Sequence, residues 1–100
     1  ADILIISFGI TARTAREAVL LAREQGTHVR LVNVISLFPI PEKLLKNAAE
    51  GVHTVFVAEE NLTGQYRSVI QYLFTDKVVI GINSFGKMIT PNDILECITL

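Results

Sequence analysis

One hundred residues make a single domain, long enough to bury a core without disulfides or metal. Lys+Arg 9 against Asp+Glu 10 leaves a net charge of -1 with no basic block, so nucleic-acid binding has no electrostatic footprint. The single cysteine, Cys97, excludes an internal disulfide and any Cys-x-x-Cys metal or iron-sulfur site within the chain.

Half of the residues are hydrophobic and the mean hydropathy is +0.45, greasier than a small free-standing domain usually manages. Some apolar surface is therefore expected to face a partner or another domain. Ala1-Asp2 leads directly into an apolar run without an initiator Met, and Ile98-Thr99-Leu100 closes a helix, so a piece of a longer polypeptide is expected. The run Ile3-Leu4-Ile5-Ile6 is far shorter than the ~20 residues of a membrane-spanning helix and has no basic region before it. No membrane association is expected, and the chain points to the cytoplasm.

Asp2 to Phe8 reads as an apolar strand with Ser7-Phe8-Gly9-Ile10-Thr11 as its exit loop. A helix follows from about Ala12 to Gln25, with Ala15, Ala18, Val19 and Ala22 on one face at the helical period. Either Thr11 or the Thr14-x-x-Glu17 box caps its start, and Gly26 ends it as a left-handed residue. His28 to Val34 is a second strand. Ser36-Leu37-Phe38-Pro39-Ile40-Pro41 then leads stiffly into a helix from Glu42 to Glu50, with Pro41 in its first turn and Gly51 at its stop.

Thr54-Val55-Phe56-Val57-Ala58 is the most apolar strand and ends abruptly in Glu59-Glu60-Asn61. A run buried on both faces is the mark of a parallel sheet, in which ligands meet the carboxyl ends of the strands. The next helix spans Gly64 to Phe74, with Tyr66, Val69, Ile70 and Leu73 expected inward, and Lys77 to Ile82 is the fourth strand. Thr90-Pro91-Asn92-Asp93 opens the last helix with a Thr N-cap, Pro at the first position and an acid at the third; Ile94, Leu95 and Ile98 face inward.

Four β-α units in succession predict a three-layer α/β/α domain whose parallel strands run in the order 2-1-3-4. The helices from Ala12 and Thr90 fall on one face and those from Glu42 and Gly64 on the other. The reversal between strands 1 and 3 makes a crevice, with Gly9, Thr11, Arg13, Glu59, Glu60, Asn61, Gly64 and Gln65 as its candidate interface residues. No Gly-x-Gly-x-x-Gly or Walker A pattern is present. Thr11, Arg13, Thr14 and Arg16 at a helix start could hold an anion, although capping is the commoner role of such threonines.

Glu59 and Glu60 alternate across the sheet and so do not act on one bound group. One carboxylate either accepts hydrogen bonds from the next helix or reaches a neighbouring domain. His28 and His53 both enter strands at the opposite end, about 10 Å apart across the sheet. A shared metal is not expected there, and Cys97 reads as packing because nothing electropositive stands near it in sequence.

Taken together, Ser7-Phe8-Gly9-Ile10-Thr11-Ala12-Arg13-Thr14-Ala15-Arg16-Glu17-Ala18, Phe38-Pro39-Ile40-Pro41-Glu42, Glu59-Glu60-Asn61 with Gly64-Gln65, and Gly86-Lys87-Met88-Ile89-Thr90-Pro91 resemble one family. It is the C-terminal, transketolase C-terminal-like domain of the alpha subunit of 2-oxoacid:ferredoxin oxidoreductases. The resemblance implies that fold without its antiparallel edge strand, which precedes Ala1 in the family. It also implies a parent enzyme that uses thiamine diphosphate, Mg, iron-sulfur clusters and coenzyme A to oxidise a 2-oxoacid and reduce ferredoxin. None of those cofactor motifs lies in this chain.

The domain is therefore expected to be inactive alone, with no catalytic, cofactor-binding or metal-binding residue, and to organise the rest of the alpha subunit and a beta subunit. The missing strand predicts exposed apolar residues at Val29, Leu31 and Val32 and self-association of the isolated chain. The alternative is a free-standing small-anion-binding or signalling module of flavodoxin or receiver type. A receiver needs an acidic pair after the first strand and an aspartate after the third, where this chain has Ser7-Phe8-Gly9 and Glu59.

Overall fold

The computed structural model describes residues 2–8, 11–34, 40–59, 65–83 and 89–99. Strand β1 (Ile3–Phe8) leads into helix α1 (Thr11–Glu24), β2 (Val29–Val34) into α2 (Glu42–Ala48), and β3 (Thr54–Glu59) into α3 (Gln65–Ile70). A 3-10 turn (Gln71–Phe74) extends α3 before β4 (Val78–Asn83), and α4 (Pro91–Thr99) closes the fold. The strands form one sheet in the order β2-β1-β3-β4, and every pair is parallel, as the β-α alternation predicts. Ile5 stands level with Leu31 on one side and Phe56 on the other, and Phe56 with Ile80.

Strand alternation divides the buried side chains between two layers. Leu4, Ile6, Val55 and Val57 pack under Leu45 of α2 and under Ile70, Leu73 and Phe74. Ile5, Val29, Phe56 and Ile82 pack under Ala15, Ala18, Val19 and Ala22 of α1 and Ile94 and Ile98 of α4. The alanine stripe brings α1 close to the sheet, and the helices pair on the faces expected of them.

Two left-handed glycines punctuate the chain. Gly26 has φ 86° and ends α1 with a Schellman pair, Thr27 N–H to the Ala22 carbonyl at 2.9 Å and Gly26 N–H to Arg23 at 3.0 Å. Gly51 has φ 79° and follows α2. Thr90 and Asp93 form a reciprocal capping box on α4: Asp93 N–H donates to Thr90 Oγ1 at 3.1 Å, and Thr90 N–H to Asp93 Oδ2 at 2.9 Å.

Local chemistry departs from expectation at three helices. Pro41 occupies the N-cap of α2 rather than its first turn, and its carbonyl accepts the Leu45 N–H at 3.0 Å. The Thr14-x-x-Glu17 box is not a cap, because α1 already begins at Thr11 and Thr14 lies inside the helix. The last turn after α3 is 3-10, which moves the inner stripe onto Ile70, Leu73 and Phe74 and leaves Val69 38% exposed. The Tyr72 hydroxyl, on the outer side of that turn, donates to the Glu42 carboxylate at 2.7 Å and ties it to α2.

At the amino ends of the strands, the Asp2 carbonyl accepts the N–H groups of His53 (2.9 Å) and Thr54 (3.1 Å). Lys77 Nζ donates to the Val52 carbonyl at 2.7 Å. His28 and His53 stand exposed at this end, one before β2 and one before β3, as strand-entry residues do.

Candidate functional site at the carboxyl ends of the strands

The switch in strand order puts the carboxyl ends of β1 and β3 side by side, with Ser7 level with Ala58. Of the eight expected crevice residues, Gly9, Glu60, Asn61 and Gly64 lie outside the described residues. Thr11 and Gln65 are the first residues of α1 and α3, so their backbones flank the crevice on opposite faces of the sheet; their side chains lie outside the described set. Arg13 is exposed in the first turn of α1, and Glu59 is completely buried.

Glu59 follows Ala58, so its side chain turns to the α2/α3 face, while α1 and Arg13 belong to the other face. The expected cluster is thereby split by the sheet. Glu59 Oε2 accepts the backbone N–H of Arg67 at 3.1 Å, in the first turn of α3. Of the two roles open to this carboxylate, the geometry assigns the local one: it holds the start of the following helix and has no surface with which to meet a neighbour. The Arg67 Nε is buried without a hydrogen-bond partner among the described residues.

Ser7 is the other fully buried polar residue among the described residues and escapes a reading by motif. Its Oγ–H donates to Asn33 Oδ1 at 2.5 Å, from the level position on β2. A signal did exist: a polar residue one place before the end of two apolar strands that the predicted order makes neighbours. Ser7 and Glu59 are thus both engaged in holding the fold.

Cys97 lies half-buried on α4 at the amino end of the sheet, away from the crevice. Burial raises the pKa of its thiol, and the charges of Asp93 and Glu96 raise it further. The thiol is a poor nucleophile at neutral pH, and it packs. No group of three His, Cys, Asp or Glu side chains converges among the described residues. One protonated, half-buried thiol is no ligand set for an iron-sulfur cluster, and a carboxylate bound to its own helix is not offered to a magnesium diphosphate. The described residues do not fit those groups.

Four parallel strands in the order 2-1-3-4, with α1 and α4 on one face and α2 and α3 on the other, define a transketolase C-terminal-like α/β domain. Residues 1–94 match the pyruvate:ferredoxin oxidoreductase core domain II, and the chain belongs to that family. The ketoisovalerate oxidoreductase subunit VorB of Methanothermobacter thermautotrophicus is 35% identical over 97 residues, 96% of this chain and 27% of that subunit. A 2-oxoglutarate:ferredoxin oxidoreductase from Magnetococcus marinus, solved with 2-oxoglutarate, coenzyme A and succinyl-CoA bound, superposes with a TM-score of 0.85 at 26% identity. The match covers 99% of this chain and 17% of that one. A split-gene transketolase, described as an inactive beta4 tetramer, shares the fold with a TM-score of 0.82 at 24% identity, over 98% of this chain and 37% of its own. The chain therefore spans about a quarter of the length of the VorB subunit.

Proposed function

We propose that this chain is the organising, non-catalytic domain of the alpha subunit of a 2-oxoacid:ferredoxin oxidoreductase. The parent enzyme would oxidise a 2-oxoacid with thiamine diphosphate and Mg, send electrons through iron-sulfur clusters to ferredoxin and transfer the acyl group to coenzyme A. The remaining alpha-subunit domains and a beta subunit would carry those groups. The observation that supports the reading is the use of Glu59 and Ser7: among the described residues, the buried polar side chains beside the crevice brace Arg67 and Asn33 and are spent on the scaffold. The flavodoxin- or receiver-like alternative has no comparable support, because the family match runs along residues 1–94.

Two measurements test the proposal. Calorimetry of the chain with thiamine diphosphate and magnesium should show no tight binding. In the reconstituted enzyme, Asn61→Ala and Gln65→Ala should weaken subunit or domain association by about 1–3 kcal/mol each, the usual cost of leaving a buried partner unsatisfied. Tight cofactor binding by the chain, or lost turnover with assembly and cofactor content unchanged, would place chemistry in this domain and overturn the reading.

A further inference from the structure

The sheet has two edges, β2 and β4, and they are built differently. Exposed edge strands template pairing with other chains unless charge, proline or irregularity blocks them. In β2, Val29 is buried, Leu31 and Val32 are half-buried, and Arg30 and Asn33 are exposed. Arg30 also donates to the carbonyls of Ala48 (2.9 Å) and Glu50 (2.8 Å), so a charged side chain is fixed on that edge. The apolar exposure expected beside β2 is therefore largely absent. It is found at β4, where Val78 is 48% and Ile80 40% exposed in a strand with no charge and no proline from Val78 to Asn83.

Val78, Ile80 and Ile82 share the α1/α4 face of the sheet, but only Ile82 is covered. Helix α4 packs against α1, and among the described residues none covers the Val78 and Ile80 side chains. A groove of about 430 Å³ lies there, lined by Ile3, Thr54, Phe56, Ile80, Cys97 and Ile98.

We propose that a second copy of this chain occupies this edge, its β4 antiparallel to the first about a two-fold axis at Ile80, joining two four-stranded sheets into one. A two-fold contact demands a self-complementary strand, and β4 is one. With the axis at Ile80, that residue meets its own mate, Val78 meets Ile82, and Val79 meets Gly81. Each apolar side chain finds an apolar neighbour, and the one bulky pair on the α2/α3 face is relieved by glycine. Lys77 falls opposite Asn83 rather than another charge, and its ammonium is already turned to Val52. Pairing through β2 would instead draw Arg30 into the joint. The edge is independent of the enzymatic reading, so the two proposals fail separately.

Sedimentation of the full chain should show a concentration-dependent dimer. Ile80→Lys should raise the dissociation constant by about a hundredfold, since each copy would bury an ammonium at the joint. Leu31→Lys, on the other edge, should leave the dimer unchanged. Hydrogen exchange on the unsubstituted chain decides the matter even if Ile80→Lys unfolds: protection should rise with concentration across 78–83 and not across 29–34. A monomer at millimolar concentration, a dimer that survives Ile80→Lys in a folded chain, or concentration-dependent protection at 29–34 instead would overturn the proposal.

Discussion

Replacing Glu59 by alanine should destabilise the domain rather than merely alter its surface. The side chain has no exposed area, and its Oε2 receives the Arg67 N–H at 3.1 Å. A hydrogen bond to a carboxylate is worth about 1.5–3 kcal/mol, and truncation also leaves a void and an unsatisfied donor in the first turn of α3. Against this stands the cost of burying the carboxylate, which truncation would relieve. The bond is to a backbone amide in the first turn of α3, where the helix itself supplies no acceptor, so we expect the loss to win, with a net destabilisation of about 2–4 kcal/mol. For a domain of this length each kcal/mol lowers the midpoint by about 4–8 °C, so thermal unfolding should fall by roughly 10–25 °C. Glu59→Gln keeps the volume and one acceptor oxygen and should cost about half as much. Thermal unfolding by circular dichroism reads both, and hydrogen exchange at 65–70 locates the loss. An alanine variant within about 2 °C of the parent, or a glutamine variant more stable than it, would show that desolvation outweighs the bond and that Glu59 is retained for something other than α3.

Thr90→Ala removes the acceptor of the Asp93 N–H on α4 and should cost about 1 kcal/mol in urea unfolding; a change below about 0.3 kcal/mol would deny the box its role. Gly26→Ala meets open space but must hold φ at 86°, so it should lose about 1 kcal/mol through backbone strain alone, measured by denaturant titration. The Cys97 thiol should alkylate more slowly than a free cysteine at neutral pH and accelerate only as pH rises past the ordinary thiol range. Because its folded-state pKa is raised, the stability it lends is fully present below the unfolded thiol pKa and is lost as pH rises through the folded one; Cys97→Ser should flatten that alkaline decline.

Much of the architecture is a local property of the chain. The periods of apolar residues, Gly26 as a left-handed stop, and Thr90-Pro91-Asn92-Asp93 as a cap each act within a few residues, and four β-α units leave little freedom in hand or strand direction. The alanine stripe of α1 likewise announced which side would meet the sheet. The sequence could not say where Glu59 would point. Its neighbour Glu60 is chemically identical, and only the pleat of β3 and the docking of α3 turned Glu59 inward, onto Arg67 and across the sheet from Arg13. The Ser7–Asn33 bond joins residues 26 apart and exists because β1 and β2 share a register. Pro41 was moved to the N-cap and Val69 to the surface by how α2 and the 3-10 turn seat on the sheet, which helical spacing does not encode. Which edge stayed apolar and open was decided last, by α4 leaning on α1 and leaving Val78 and Ile80 uncovered: residue order sets a strand's composition, but only the packing of other elements determines how much of it water still touches.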